Sequence, residues 1–229
     1  MNIVECIEVK KTYHQDKLEV RALNGVTLSI QKGDFIALAG PSGSGKTTML
    51  NIIGGLDTAD SGSITVDGNE LNAMTQSELA SLRLHNVGFV FQAYNLIPVL
   101  SALENVEFVM LLQGVPSAER RGRAIAILDD VGMEDMYNRR PAELSGGQQQ
   151  RVAVARAIVS SPSIVLADEP TANLDSQTGK GLLEMMVQMN EKRNATFVFS
   201  THDKMVMDYA RRLVLIRDGL VADDQVREG

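Results

Sequence analysis

Tryptophan is absent from the 229 residues, and tyrosine and phenylalanine together make up only 4% of them. One cysteine, Cys6, cannot form an internal disulfide and suits a reducing compartment. Its apolar setting predicts a buried packing role rather than a nucleophile. Blocks of Lys or Arg are also missing, and 22 basic residues face 29 acidic ones for a net charge of −7. That balance argues against an extended nucleic-acid surface, so no nucleic-acid partner is expected. Nor does any apolar run approach the roughly 20 residues of a bilayer span. Runs such as Ile164–Ala167 and Leu213–Ile216 are far shorter. The charges scattered through Met1–Lys11 predict no signal peptide.

What is present is an alternation of short β-like runs with helical patterns, which predicts an α/β domain around a largely parallel sheet. Strands are expected at Asn2–Val9, Val20–Ile30, Asp34–Ala39, Ser63–Val66, Val87–Phe91, Ile164–Ala167, Thr196–Ser200 and Arg212–Ile216. Helices are expected at Lys46–Gly54, Gln148–Ser160 and Ser176–Arg193, with a turn at Asp57–Gly62. Between Ala102 and Asn138 only helical periodicity is present, carried by Leu103, Val106, Val109, Met110, Ala124, Ile127, Leu128 and Val131. The natural reading is one domain, 1–229, with a helical subdomain at roughly 93–145 inserted into the α/β core.

Chemistry enters at Gly40-Pro41-Ser42-Gly43-Ser44-Gly45-Lys46-Thr47-Thr48, which fits G-x-x-x-x-G-K-[ST]. Glycines let backbone N–H groups turn inward on phosphate oxygens, and the helix that follows offers its positive end. Lys46 is placed to reach the outer phosphates and the Thr47 hydroxyl to bind Mg²⁺. The strand Ile164–Ala167 ends in Asp168-Glu169-Pro170. Asp168 at the strand tip is the expected second Mg²⁺ partner. Side chains alternate along a strand, so Glu169 points elsewhere and is the candidate general base for an attacking water.

A second anion-binding turn is written in Leu144-Ser145-Gly146-Gly147-Gln148, where a hydroxyl and two glycine N–H groups lead into a helix. With Gln149-Gln150-Arg151 after it, this segment resembles the signature motif of ABC ATPases. The resemblance extends over nearly the whole chain. It implies a P-loop NTPase core of mixed, largely parallel sheet with an antiparallel β subdomain and an inserted helical subdomain. It further implies ATP and Mg²⁺ as cofactors and a head-to-tail, ATP-sandwiching homodimer, in which Ser145, Gly147 and Gln148 of one copy complete the nucleotide site of the other. By the same resemblance Tyr13 stacks on adenine, and Gln92 contacts Mg²⁺ and the attacking water. Asn173-Leu174-Asp175 crosses the dimer interface, and His202 senses the γ-phosphate.

Val20–Gly25, Gly54–Thr58, Phe91–Ile97 and Leu166–Thr171 are similar to the subfamily that contains LolD, MacB and FtsE. That implies an ATPase at the cytoplasmic face of the inner (plasma) membrane, powering a separate membrane permease that exports or extracts a lipoprotein, lipid, peptide or drug. A cell-division or signalling ATPase that moves no substrate fits the same motifs. A soluble ABC ATPase of DNA repair or translation is disfavoured by the missing coiled coil, the single ATPase module and the acidic charge. Ala172 stands where glycine is commoner in the family. Ala93–Leu100 is unusually apolar for a loop; it either docks a permease helix or packs into the helical subdomain.

Overall fold

The computed structural model describes residues 1–15 and 18–227. Two sheets organise it. The first is antiparallel with strand order β2-β1-β4-β5, where β1 is Asn2–Gln15, β2 Leu18–Gln31, β4 Ser61–Val66 and β5 Asn69–Glu70. The second has six strands in the order β10-β9-β3-β8-β7-β6. Here β3 is Phe35–Ala39, β6 Val87–Val90, β7 Ile164–Asp168, β8 Thr196–Thr201, β9 Arg212–Arg217 and β10 Leu220–Val226. Its strands pair in parallel except at the edge, where β10 runs antiparallel to β9.

The central strands are buried on both faces, so their side chains divide by parity. Phe35, Ala37 and Ala39 of β3 join one core with Val165, Ala167, Phe197 and Phe199. Ile36 and Leu38 join the other with Ile164, Leu166, Val198, Val214 and Ile216. On the first face Phe35 packs against Phe197 and Phe199 with ring centroids 5.6 and 4.7 Å apart. Each ring so enclosed contributes about 1.5–3 kcal/mol relative to exposure.

The first face also receives α3 (Ala102–Leu112), α4 (Ser117–Asp130), α5 (Gly146–Ile158), α6 (Ser176–Arg193) and Val206 of α7 (Lys204–Tyr209). The second receives α1 (Lys46–Ile53), Leu79 and Leu82 of α2 (Gln76–Asn86), and the inner face of the antiparallel sheet. Capping boxes start α2 at Thr75/Glu78, α3 at Ser101/Glu104 and α5 at Ser145/Gln148. Asp175 caps α6 through the Gln177 and Thr178 N–H groups.

Several boundaries move from those the sequence implies. β1 continues to Gln15 because Lys10–Tyr13 pairs with Val20–Asn24 although those residues are polar. β4 begins at Ser61, shortening the expected Asp57–Gly62 turn. The helical stretch from Ala102 is interrupted at Gly114-Val115-Pro116 and ends at Asp130, so Val131–Asn138 is not helical. Among strands and α-helices four were not expected, β5, α2, α7 and β10, and neither were the 3₁₀ turns Leu71–Ala73 and Pro141–Glu143. Cys6 is buried as expected, and burial pushes its thiol up to about 12. Among the described residues no helix is long and apolar enough to cross a membrane.

Candidate functional site

The loop between β3 and α1 leaves the carboxyl edge of the parallel sheet, where open α/β sheets bind ligands. Gly40, Gly43 and Gly45 hold φ of 153, 77 and 106°, a region closed to most side chains. A Cβ on Gly45 would lie 2.4 Å from the Ala22 carbonyl, and one on Gly40 2.1 Å from that of Ile216. The backbone is therefore shaped into a cradle that only glycine can complete at these points. Lys46 is buried at the start of α1, and its Nζ donates to the Gly40 and Pro41 carbonyls at 2.8 and 2.9 Å. Burial lowers its pKa, against the opposing pull of Glu169 and then Asp168.

These groups line a cleft of about 770 Å³ that gathers Tyr13, Ser42, Gly43, Gly45, Lys46, Thr47, Thr48, Gln92, Asp168, Glu169 and His202. The Thr47 hydroxyl donates toward Asp168, 3.2 Å from Oδ1 and 3.4 Å from Oδ2. Glu169 takes a left-handed backbone turn, φ 45°, immediately after β7. That turn separates its carboxylate from that of Asp168. Glu169 Oε1 accepts from the His202 backbone N–H at 3.1 Å and lies 2.6 Å from His202 Nδ1. Oε2 accepts from Thr201 Oγ1 at 3.1 Å. In the tautomer carrying its proton on Nδ1, His202 donates to the carboxylate. Gln92 follows β6, and its carbonyl accepts from Asn173 Nδ2 at 2.9 Å. Gly40 and the buried Ser44 stand behind the cradle and do not line the cleft.

Ser145, Gly147 and Gln148 lie outside this cleft altogether. They form the N-terminus of α5, where Ser145 Oγ accepts from Gln148 N–H and Gln148 Oε1 from Ser145 N–H. One chain thus carries two glycine-rich helix starts that do not line a common cleft.

Sequence reasoning missed several participants. Val20 and Ala22 form an apolar wall beside Tyr13, and Thr201 helps hold Glu169. Gln150 is fully buried on α5 and donates to the carbonyls of Phe91 and Pro170, one beside Gln92 and the other beside Glu169. Its signal lay in the signature segment itself, as a polar residue on an otherwise apolar helix face.

A second cleft, about 580 Å³, opens where α2, β6, α3 and α5 meet. Leu56, Leu84, Phe89, Phe91 and Leu112 line it. Arg156 also reaches it, donating to the Tyr94 and Asn95 carbonyls at 2.9 and 2.6 Å. Burial lowers the Arg156 pKa. Of the apolar loop Ala93–Leu100, Leu96 packs on the first core while Val99 is 71% exposed. Packing of that loop into the core thus holds in part, with Val99 left exposed.

Comparison with known proteins agrees with this geometry. The model of the ABC transporter family matches residues 23–172. An uncharacterized ABC transporter ATP-binding protein of Thermotoga maritima is 45% identical over 219 residues, covering 96% of this chain and 93% of that one. The macrolide export ATP-binding/permease protein MacB of Brucella melitensis is 44% identical over 225 residues, 98% of this chain. This chain spans 35% of that relative's length. Among solved structures, the dimeric cassette MJ0796 bound to ADP and Pi in a post-hydrolysis state superposes with a TM-score of 0.90 at 42% identity, covering 99% of both chains. The cbiO1 protein from Clostridium perfringens, part of the ABC transporter complex cbiONQ, superposes at 0.88 with 27% identity, covering 98% of this chain and 88% of that one. With the family model matched over most of its length and relatives similar to it nearly end to end, the chain belongs to the ABC transporter family and is one of its ATPase cassettes.

Proposed function

We propose that two copies of this chain close head to tail and hydrolyse MgATP at two composite sites, driving a membrane permease from its cytoplasmic face. The observation that carries the dimer is the separation of the two phosphate-binding helix starts. A Ser-Gly-Gly turn that cannot reach its own nucleotide is explained if it caps a neighbour's. MJ0796 is a dimeric cassette of the same fold, which supports the arrangement.

In each site the cradle N–H groups and Lys46 hold the phosphates, with the base end toward Tyr13, Val20 and Ala22. Lys46 exchanges two neutral carbonyl partners for phosphate oxygens, a stronger charge-assisted set. Thr47 and Asp168 suit Mg²⁺, which takes one or two carboxylates and otherwise phosphates and water. Among the described residues no cluster of three or more His, Cys, Asp or Glu forms a metal cage, as a hard ion shared with a substrate requires none. Bound there, Mg²⁺ neutralises phosphate charge, and Gln92 is the further candidate partner. Glu169 accepts the proton of the attacking water, fixed for it by Thr201 and His202. His202, 71% exposed at its side chain, faces the space where the γ-phosphate ends. Most of the acceleration comes from positioning and charge, since phosphoryl transfer asks little covalent chemistry of the protein.

Residues 93–145 act as the subdomain that answers to the permease, and the 580 Å³ cleft at its root is the docking groove. Its apolar walls suit a short amphipathic helix, and the MacB relative joins ATP-binding and permease functions in its name. Substrate choice rests with that permease.

Glu169→Gln tests the composite site. Given ATP and magnesium it should elute as a stable dimer and turn over ATP at least about a hundredfold slower. A monomer under those conditions removes the head-to-tail reading, and wild-type turnover removes Glu169 as base.

A further inference from the structure

We propose that Asp57 and Lys11 form a positioning clamp that fixes the Tyr13 ring as a base platform, setting affinity for the nucleoside without touching it. The inference rests on the reading of Tyr13 as the surface on which the base stacks.

Tyr13 is 36% exposed near the end of β1. A tyrosine in that position ordinarily samples several rotamers, and a ligand that stacks on it must first select one. Here the selection is already made. Tyr13 Oη donates to Asp57 Oδ2 at 2.7 Å. The other oxygen, Oδ1, accepts from Lys11 Nζ at 2.8 Å, and the same ammonium donates to the Thr58 carbonyl at 2.8 Å. Lys11 Nζ also sits 5.2 Å from the centroid of the Tyr13 ring, within range of a cation–π contact. The ring is therefore held at its hydroxyl and near its face by one ion pair.

The clamp is itself anchored. Asp60 accepts from the Thr12 N–H at 2.6 Å and returns its own N–H to the Lys10 carbonyl at 2.9 Å. The segment carrying Asp57 is tied to α1 by Leu56 and Asp57 N–H groups, which both reach the Asn51 carbonyl. A register shift of the β1–β2 pairing between Lys11 and Thr12 marks an irregularity in the strand where the clamp acts. Since α1 begins at Lys46, the ring and the phosphate cradle are fixed to one helix. Their spacing becomes a property of α1 and the Asp57–Asp60 segment rather than of the hairpin. Charge agrees with this picture. Burial works to raise the Asp57 carboxyl, but its bonds from Lys11, Tyr13 and the Thr58 backbone outweigh that and hold it below its usual value. A paired, ionised Asp57 is the form that accepts both donors.

The clamp separates base from phosphate, which allows a direct test by titration calorimetry with ATP and with inorganic tripolyphosphate, which has no base. Asp57→Ala and Lys11→Met should each weaken ATP about fivefold, the cost of ordering one freed side chain on binding, and leave tripolyphosphate within about twofold. Tyr13→Phe, a loss of one hydroxyl, should weaken ATP similarly, and adding Asp57→Asn to it should cost little more. Equal weakening of both ligands by Asp57→Ala would mean that the residue merely supports the cradle, and would overturn the proposal. So would full additivity of Tyr13→Phe and Asp57→Asn. Tyr13→Ala checks the underlying reading separately: if it leaves ATP affinity unchanged, the platform itself is wrong. If it weakens ATP while the Asp57 and Lys11 variants do not, the platform stands and the clamp falls.

Discussion

Replacing Asn105 with alanine should loosen the loop that borders the proposed docking groove while sparing the nucleotide cleft. Asn105 is fully buried on α3. Its Oδ1 accepts the Ile97 N–H at 2.8 Å, and Nδ2 donates to the carbonyls of Ile97, Leu100 and Ser101 at 3.2, 3.1 and 2.9 Å. Two of those carbonyls keep another partner, since Ile97 also accepts from Leu100 N–H and Ser101 from Asn105 N–H. The Ile97 N–H and the Leu100 carbonyl are the groups that lose most. An orphaned buried group costs about 1–3 kcal/mol and an ordinary lost hydrogen bond about 0.5–1.5 kcal/mol. Both groups lie in a half-buried loop where water reaches part of the backbone, so the sum is about 2–4 kcal/mol. With a urea slope of about 3 kcal/mol/M, the unfolding midpoint should fall by roughly 1 M. Limited proteolysis should also cut faster within residues 93–100, and ATP affinity should hold because Asn105 does not line the cleft. A midpoint shift under about 0.2 M, with unchanged proteolysis, would refute the claim that this amide organises the loop.

Gly45→Ala should reduce ATP binding by more than about tenfold, because a Cβ at φ 106° also meets the Ala22 carbonyl at 2.4 Å. Normal binding would mean that the cradle tolerates another backbone shape. Gln150→Leu keeps the volume but removes the donors to Phe91 and Pro170; turnover should fall about tenfold with the KM for ATP little changed. Equal loss in both would point to general damage. Cys6 should react with a thiol-directed dye less than a tenth as fast as the unfolded chain, being buried with its thiol pushed up to about 12. Because the folded pKa lies above the unfolded value near 9, its contribution to stability is complete below pH 9. It declines as pH rises toward 12. Cys6→Val should remove that share of the alkaline loss in a urea series from pH 9 upward.

The cleft was legible because most of its residues sit in short contiguous segments at strand ends, where residue type and spacing state the chemistry. Gly40–Thr48 and Asp168-Glu169 needed no tertiary information beyond a strand before each, whereas Tyr13, Gln92 and His202 were named only by resemblance to the family. The second cleft was not legible, because its walls come from separated places: Leu56 after α1, Leu84 on α2, Phe89 and Phe91 on and after β6, and Arg156 on α5. Helix α2 escaped notice since only Leu79 and Leu82 of its eleven residues are buried, too few for a stripe. Its Thr75/Glu78 capping box was the available cue. Strand β10 is exposed along nearly all its length, so it shows no alternation to read. Asp57 looked like an ordinary turn residue, since its bond to Tyr13 spans 44 positions.

The even–odd split of β3, β7 and β8 gives the cassette two interiors that share only a wall. Helices α3 to α6 belong to one room, while α1, α2 and the antiparallel sheet belong to the other. The second cleft takes its walls from both, with α3 and α5 from the first room and α2 and Phe89 from the second. A helix seated in that cleft, as proposed, would therefore bear on both rooms at once and so on the nucleotide side of the wall directly.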